Sequence, residues 1–191
     1  MGKKGSFIKR FTDILISILT IVITSPVLIL AAIAIKLESR GPVLFKHERT
    51  GYNGQKFLMY KFRGMVKNAL ELGPELTQVN DPRITKVGKI LRRTSIDEIP
   101  QVINVLKGEM SIVGPRPEIT SITSKYTEEQ RKIFEFIPGI TGYSQINGRQ
   151  RLTPEQRVKM EVDYYTQANV FTDFIVLLKT FEAIATNHGN L

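Results

Sequence analysis

The chain has 191 residues, no cysteine, and 27 Lys and Arg against 18 Asp and Glu, a net charge of +9 with its two histidines neutral. That length suits one domain, with enough chain to bury a core unaided by staples. Lack of thiols excludes a disulfide scaffold, thiolate zinc, iron–sulfur clusters and a Cys nucleophile, and His47 and His188 alone argue against a His-rich metal centre. Hydrophobic content of 42% with 24% charge argues against disorder, and the basic excess asks for an anionic partner: nucleic acid, anionic lipid or a phosphorylated substrate.

The first element is apolar. From Ile14 to Ile35 no residue is charged. A straight helix of that length spans about 33 Å, enough for a hydrocarbon core of about 30 Å. Three readings compete: a cleavable signal peptide ending near Ala32-Ile33-Ala34, a single-span anchor, and a re-entrant hairpin. The run exceeds the usual signal-peptide core. Ser25-Pro26, near its middle, favours the hairpin, because proline lacks an N–H and clashes with the preceding turn. The Ser25 and Thr24 hydroxyls can meet the carbonyls this frees. Lys3, Lys4, Lys9 and Arg10 precede the run, and Lys36, Arg40, Lys46 and Arg49 follow it. Positive charge on both flanks draws both ends to one side of a membrane, where they would meet an anionic leaflet.

Val43-Leu44-Phe45 and Phe57 to Tyr60 flank Gly51-Tyr52-Asn53-Gly54 and predict a short β-hairpin. Residues 67–82 read as a polar surface loop with solvated charges. Lys86, Lys89 and Arg93 fall at helical spacing on one face, either a solvated basic face or a cradle for phosphate or headgroups. Ser95 with Glu98 three residues on reads as a capping box, opening a helix through Leu106 that stops at Gly108. On that reading Asp97 and Glu98 merely stabilise a helix start. Gly114-Pro115-Arg116-Pro117 is a stiff loop that fixes where one arginine points. Tyr126 to Phe136 reads as helix, and Pro138 to Gly142 as a Gly-rich stretch matching no nucleotide-loop pattern. Thr153-Pro154-Glu155 opens a helix to about Ala168, and a last helix runs from Thr172 to about Thr186. Its broad apolar face suits core packing or, with Lys179 as its only cation, an in-plane membrane position.

In order, these pieces resemble the bacterial sugar transferases that are small monotopic phosphoglycosyl transferases. The matching strings are Ser25-Pro26, Gly41 to Phe45, Tyr60-Lys61-Phe62-Arg63-Gly64-Met65, Arg83 to Gly88, Arg92 to Gln101, Asn104 to Pro117, Pro138 to Gly142 and Gln145 to Arg149. The resemblance implies an α+β, mostly helical fold. It would have a re-entrant helix-hairpin broken at Ser25-Pro26, a short β-hairpin, and amphipathic interfacial helices around a small globular core. Residues 1–40 would be the membrane anchor and 41–191 the catalytic domain, on the cytoplasmic face of the bacterial inner membrane. The implied reaction moves a sugar-1-phosphate from a UDP-sugar to polyprenyl (undecaprenyl) phosphate, releasing UMP, as the first membrane step of a glycan pathway. Asp97 would be the nucleophile of a covalent aspartyl-phosphosugar intermediate and a ligand of the required Mg²⁺, with Glu98 as base or metal ligand. Lys61, Arg92, Arg116 and Arg149 would meet the phosphates. The chemistry agrees, since a carboxylate attacking a diphosphate needs cations to offset like-charge repulsion.

The sequence departs from the family pattern at Gly64 (usually Thr), His47 (often Gln), Ile133-Phe134 (often Arg-His) and near Pro154, where a Trp is common. A membrane-anchored basic module that binds lipid headgroups or another glycan enzyme is the non-enzymatic alternative. Nucleic acid is not an expected partner, for there is no zinc pattern or aromatic platform and the apolar run would be unexplained.

Overall fold

In the computed structural model, which describes residues 7–78, 80–147 and 153–185, the chain opens with one helix, α1, from Phe7 to Glu38. It continues through Pro26, so the helix is not interrupted at Ser25-Pro26 as expected. The cause is local. Pro26 has no N–H for the Val22 carbonyl, and Ser25 Oγ donates to that carbonyl at 2.9 Å. Thr24 Oγ1 likewise donates to the Thr20 carbonyl at 2.7 Å.

Both ends of α1 are fastened to the rest of the protein. Near its start, Asp13 Oδ1 accepts the Ile112 N–H at 3.1 Å. Lys9 Nζ donates to the Val113 carbonyl at 3.0 Å and pairs with Asp173. Arg10 reaches the carbonyls of Val105 and Leu106. Lys9 and Arg10, expected at the lipid surface, therefore face protein, because exposed helix-end and strand carbonyls nearby need donors. At the far end, the Arg63 guanidinium donates to the carbonyls of Arg40 at 2.6 Å and Ser39 at 2.8 Å. Glu38 accepts the Lys86 and Val87 N–H groups at 2.7 and 3.0 Å. Between these anchors Val22, Ile23 and Leu30 are at least 65% exposed.

The expected hairpin forms, with longer strands: β1 (Leu44–Thr50) lies antiparallel to β2 (Lys56–Phe62). Asn53 and Gly54 take the left-handed φ of the turn. Phe45 faces Lys61, His47 faces Met59 and Arg49 faces Phe57 across the ladder. Opposed residues share a face, so Lys61, His47 and Arg49 lie on one side.

Residues 67–78 and 80–82 contain no helix or strand. Their charges are not all solvated, however. Asp81 is buried against Arg83, whose hydrogen bonds hold its carboxyl far below the usual range. Helix α2 (Lys86–Arg93) follows, with Thr85 as its cap. Its Lys86, Lys89 and Arg93 are exposed, as the spacing predicts. Its Gly88 is required by contact: a Cβ there would stand 2.0 Å from the Gly64 carbonyl oxygen.

The capping box at Ser95 does not form. Ser95 sits at φ 57° and caps nothing with its side chain. The expected single helix is instead a 3-10 segment, Ile96–Gln101, leading into α3 (Val102–Lys107), which ends at Gly108 with φ 84°. Pro100 lies inside the 3-10 segment, where it removes a donor a regular α-helix would use. In α3, Asn104 is fully buried. Its Oδ1 accepts the Tyr60 N–H at 3.0 Å and its Nδ2 donates to the Leu58 carbonyl at 2.7 Å. One side-chain amide thus pairs with the outer edge of β2 as a neighbouring strand would.

Beyond it, β3 (Ser111–Val113) runs parallel to β4 (Gly139–Thr141). Neither strand was expected, because three residues carry no periodicity. Between them lie α4 (Thr120–Thr123) and α5 (Glu128–Arg131), the latter followed by a 3-10 turn at Lys132–Glu135. The helix expected over Tyr126 to Phe136 is thus shorter. Then come α6 (Tyr143–Ile146), α7 (Pro154–Gln167, with the Thr153/Gln156 capping box) and α8 (Val170–Ala185). The main core joins Phe57 and Met59 of β2, Val105 of α3, Ile112 and Val113 of β3, and Val176 of α8. A second cluster packs Ala31 and Ile35 of α1 on Phe62 and Leu91. The result is the expected α+β, mostly helical fold.

Candidate active site

The two acidic residues of the 3-10 segment are adjacent in sequence but differ in surroundings. Glu98 Oε1 accepts from Lys61 Nζ at 2.8 Å and from Arg116 NH2 at 2.8 Å. Lys61 comes from β2, which Asn104 presses against this segment, and Arg116 from the double-proline loop after β3. Glu98 is therefore the point where three elements meet. Asp97, 9% exposed, is left out of these pairs. Among the described residues it accepts no hydrogen bond and is acted on only through space. Burial and the neighbouring Glu98 push its carboxyl up to about 6, while Lys61, Arg92 and Arg116 pull the other way. Burial pushes the Lys61 ammonium down against the pull of Glu98.

Arg92 stands at the rim, donating to Thr77 Oγ1 at 3.2 Å. Gly64 explains its room: a Cβ there would lie 3.3 Å from Arg92 Nε. Five of the sequence-predicted residues, Lys61, Arg92, Asp97, Glu98 and Arg116, are thus brought together. The sixth, Arg149, lies outside the described residues.

The departures at Ile133 and Phe134 have a packing role. Ile133 is buried, and Phe134 stacks on Tyr126 at 5.9 Å between centroids. His47 has a polar one: its Nε2 meets Glu75 Oε1 at 2.9 Å and its Nδ1 meets Arg49 NH2 at 3.2 Å. Glu161 was not picked out from the sequence, and Arg49 was read only as a flanking cation for an anionic leaflet, whereas it turns inward to His47 and the Pro117 carbonyl. The alternation of Phe45, His47 and Arg49, registered against Lys61, was the available signal for Arg49. Glu161 had none, because its partners are remote: Ser144 Oγ donates to its carboxylate, and the Arg116 N–H points at it from 3.5 Å. It is 2% exposed, and burial pushes its carboxyl up to about 7.

The site is a buried carboxylate, hydrogen-bonded to none of the described residues, beside several fixed cations, an arrangement suited to nucleophilic attack on a phosphorylated substrate. The family model for bacterial sugar transferases matches residues 4–187. The chain belongs to the bacterial sugar transferase family. It is 40% identical, over 96% of its length, to a UDP-N-acetylgalactosamine-undecaprenyl-phosphate N-acetylgalactosaminephosphotransferase of Aeromonas hydrophila, of which it covers 45%. It is 43% identical over 92% of its length to a UDP-glucose:undecaprenyl-phosphate glucose-1-phosphate transferase of Escherichia coli, covering 40% of that protein. It is 37% identical over 95% of its length to the uncharacterized sugar transferase EpsL of Bacillus subtilis, covering 89%. The chain thus spans less than half of the two longer relatives and most of the shorter one.

Proposed function

We propose that this bacterial sugar transferase moves a sugar-1-phosphate from a UDP-sugar to polyprenyl phosphate in two displacements on Asp97. The observation that carries the reading is the unlike treatment of the two carboxylates. Glu98 is neutralised by Lys61 and Arg116, whereas Asp97 is buried, hydrogen-bonded to none of the described residues, and next to the same cations. In the first step an Asp97 oxygen forms a bond to the sugar-bearing phosphorus. The bond from that phosphorus to the bridging oxygen breaks, and UMP departs with the electron pair. In the second, an oxygen of the lipid phosphate attacks the same phosphorus, Asp97 leaves as carboxylate, and polyprenyl-diphospho-sugar forms. Lys61, Arg92 and Arg116 offset the charge that builds on the phosphoryl oxygens, a role Arg149 would share.

The donor set fits magnesium in one way. No trio of His, Asp and Glu forms a cage among the described residues, and Glu98 is occupied by its cations. Mg²⁺ takes one or two carboxylates and completes its shell with phosphate oxygens and water. Asp97 is the carboxylate that would hold it, with the donor diphosphate supplying the rest. Bound there, the metal would neutralise the diphosphate and ease loss of UMP.

The proposal extends to the membrane. Residues 1–40 would enter and leave the bilayer on the cytoplasmic side of the inner membrane. Three observations support this: the docking of both ends of α1 on the same protein body, the exposed apolar stretch between them, and Ser25 covering the carbonyl freed by Pro26. Helix α8 supports it too. Phe171, Phe174, Leu178 and Phe181 are more than half exposed, so only part of its broad apolar surface, around Val176, is core, and the rest faces outward. It starts beside α1 through the Lys9–Asp173 pair. An in-plane lipid contact for α8 would keep the protein body, and the site with it, near the lipid phosphates.

The test is UMP release from a panel of UDP-sugars with polyprenyl phosphate and Mg²⁺. Release with at least one donor, abolished by Asp97→Asn in a folded protein, is the expected result. Full turnover by Asp97→Asn would contradict the nucleophile assignment.

A further inference from the structure

Arg49 is a cation that the reaction as described leaves without a task. It is largely buried, yet among the described residues it pairs with no carboxylate. NH2 donates to His47 Nδ1 at 3.2 Å, NH1 to the Pro117 carbonyl at 3.3 Å, and Nε is buried with no partner. The other inward-facing arginines are engaged more fully. Arg83 holds Asp81, Arg157 pairs with Glu118, and Arg63 donates to three carbonyls at the end of α1. Glu118, Glu75 and Glu98 act on Arg49 only through space, and a largely buried guanidinium with no carboxylate in direct contact is costly to maintain unless an anion arrives.

Its placement says which anion. The β1–β2 register puts Arg49 and His47 on the face that carries Lys61. Its bond to Pro117 sets it beside Arg116, and the two guanidinium charges oppose each other. Two neighbouring guanidiniums that repel each other suit phosphate oxygens, which can accept from Arg49 and from Arg116 as the latter shares its N–H groups with Glu98. Its orientation is fixed from behind. Ser121 Oγ donates to Glu75 Oε2 at 2.7 Å, and Glu75 Oε1 meets His47 Nε2 at 2.9 Å. Arginine only donates, so Nδ1 of His47 must accept and the ring proton sits on Nε2, directed at Glu75.

We propose that Arg49 is a further contact of the donor diphosphate, gripping phosphate oxygens together with Arg116, and that Glu75 orients it through His47. This rests on the transferase reading but is tested apart from it. Titration calorimetry on the full chain in detergent would use inorganic pyrophosphate and UDP, each with Mg²⁺, against wild type, Arg49→Gln and Arg49→Lys. Arg49→Gln should weaken both ligands at least tenfold. Arg49→Lys should recover only part of that, keeping the charge but losing the fork. Glu75→Gln should give a smaller loss of the same kind. The thermal midpoint of Arg49→Gln should be unchanged or higher, since an unpaired buried charge is removed. Binding within twofold of wild type would overturn the inference. So would an affinity loss matched by a fallen midpoint in both Arg49 variants, which would make Arg49 a strut for Pro117. UMP release is read separately. If no donor yields UMP but Arg49→Gln loses pyrophosphate, the anion site stands and the transferase reading falls. If UMP is released and Arg49→Gln leaves the KM for the UDP-sugar unchanged, this inference falls alone.

Discussion

Asp97 and Glu98 are neighbours whose removal should act on stability in opposite directions. The Asp97 carboxyl is raised from 3.8 to about 6, so the folded protein holds its proton more tightly than the unfolded chain. Stability from this group is complete below pH about 4, falls as pH rises through about 6, and is then flat; the change is about 3 kcal/mol at most. Asp97→Asn should therefore raise the thermal midpoint at neutral pH and remove that slope, both measurable by denaturation scans between pH 4 and 8. Because the nucleophile must be ionised, wild-type turnover should decline as pH falls below about 6. Glu98→Gln should do the reverse to stability. It strips the partner from Lys61 and Arg116, and breaking such a pair costs about 3 kcal/mol. A midpoint that rises in Glu98→Gln would show that the two cations do not depend on it. The charged residues of this site were legible from sequence as types in a matching order, but their division of labour was not. Local spacing reads Ser95 and Glu98 as a cap, and only the fold brings Lys61 and Arg116 to Glu98 from 37 and 18 residues away.

At the scale of elements, the site is held by close approaches that tolerate little change. Gly88→Ala would drive a methyl group to 2.0 Å from the Gly64 carbonyl oxygen. Helix α2 must then move off the Gly64 backbone just after β2, at a cost of about 1–3 kcal/mol, and carry Arg92 with it. The expected result is a lower midpoint together with a raised KM for the UDP-sugar; an unchanged midpoint would mean the helix shifts without strain. The start of α7 was well read: Thr153 and Pro154 open it as expected, and the structure adds Gln156 as the partner of Thr153 in a capping box. The β-hairpin was legible for the same reason, through Asn53 and Gly54. The pair β3–β4 was not, since two strands of three residues are made by tertiary pairing rather than by pattern. The helix expected after Ser95 was misjudged because Pro100 and the left-handed Ser95 favour a 3-10 turn over a regular start.

Across the whole molecule, the +9 charge is divided differently from what flanking sequence suggests. Lys9 and Arg10 are spent on carbonyls and Asp173 inside the protein and Arg49 on His47 and the Pro117 carbonyl, so among the described residues Lys36, Arg40 and Lys46 are the flanking cations that stay exposed. If both ends of α1 share one side of the membrane, Gly2→Cys and Ser124→Cys should be labelled from the same side by an impermeant maleimide. Labelling from opposite sides would replace the hairpin with a spanning anchor. Phe174→Asp together with Leu178→Asp should shift the protein from the membrane towards the soluble fraction if α8 lies in the lipid surface, and leave its distribution unchanged if it does not. The central claim is that one buried carboxylate carries the phosphosugar between two substrates. Intact-protein mass spectrometry after incubation with an accepted UDP-sugar and Mg²⁺, without polyprenyl phosphate, tests it most directly. The account predicts an adduct of one phosphosugar, matched by an equal amount of UMP, mapping to Asp97 and absent from Asp97→Asn. UMP formed only when the lipid phosphate is present, with no adduct at any time, would contradict it.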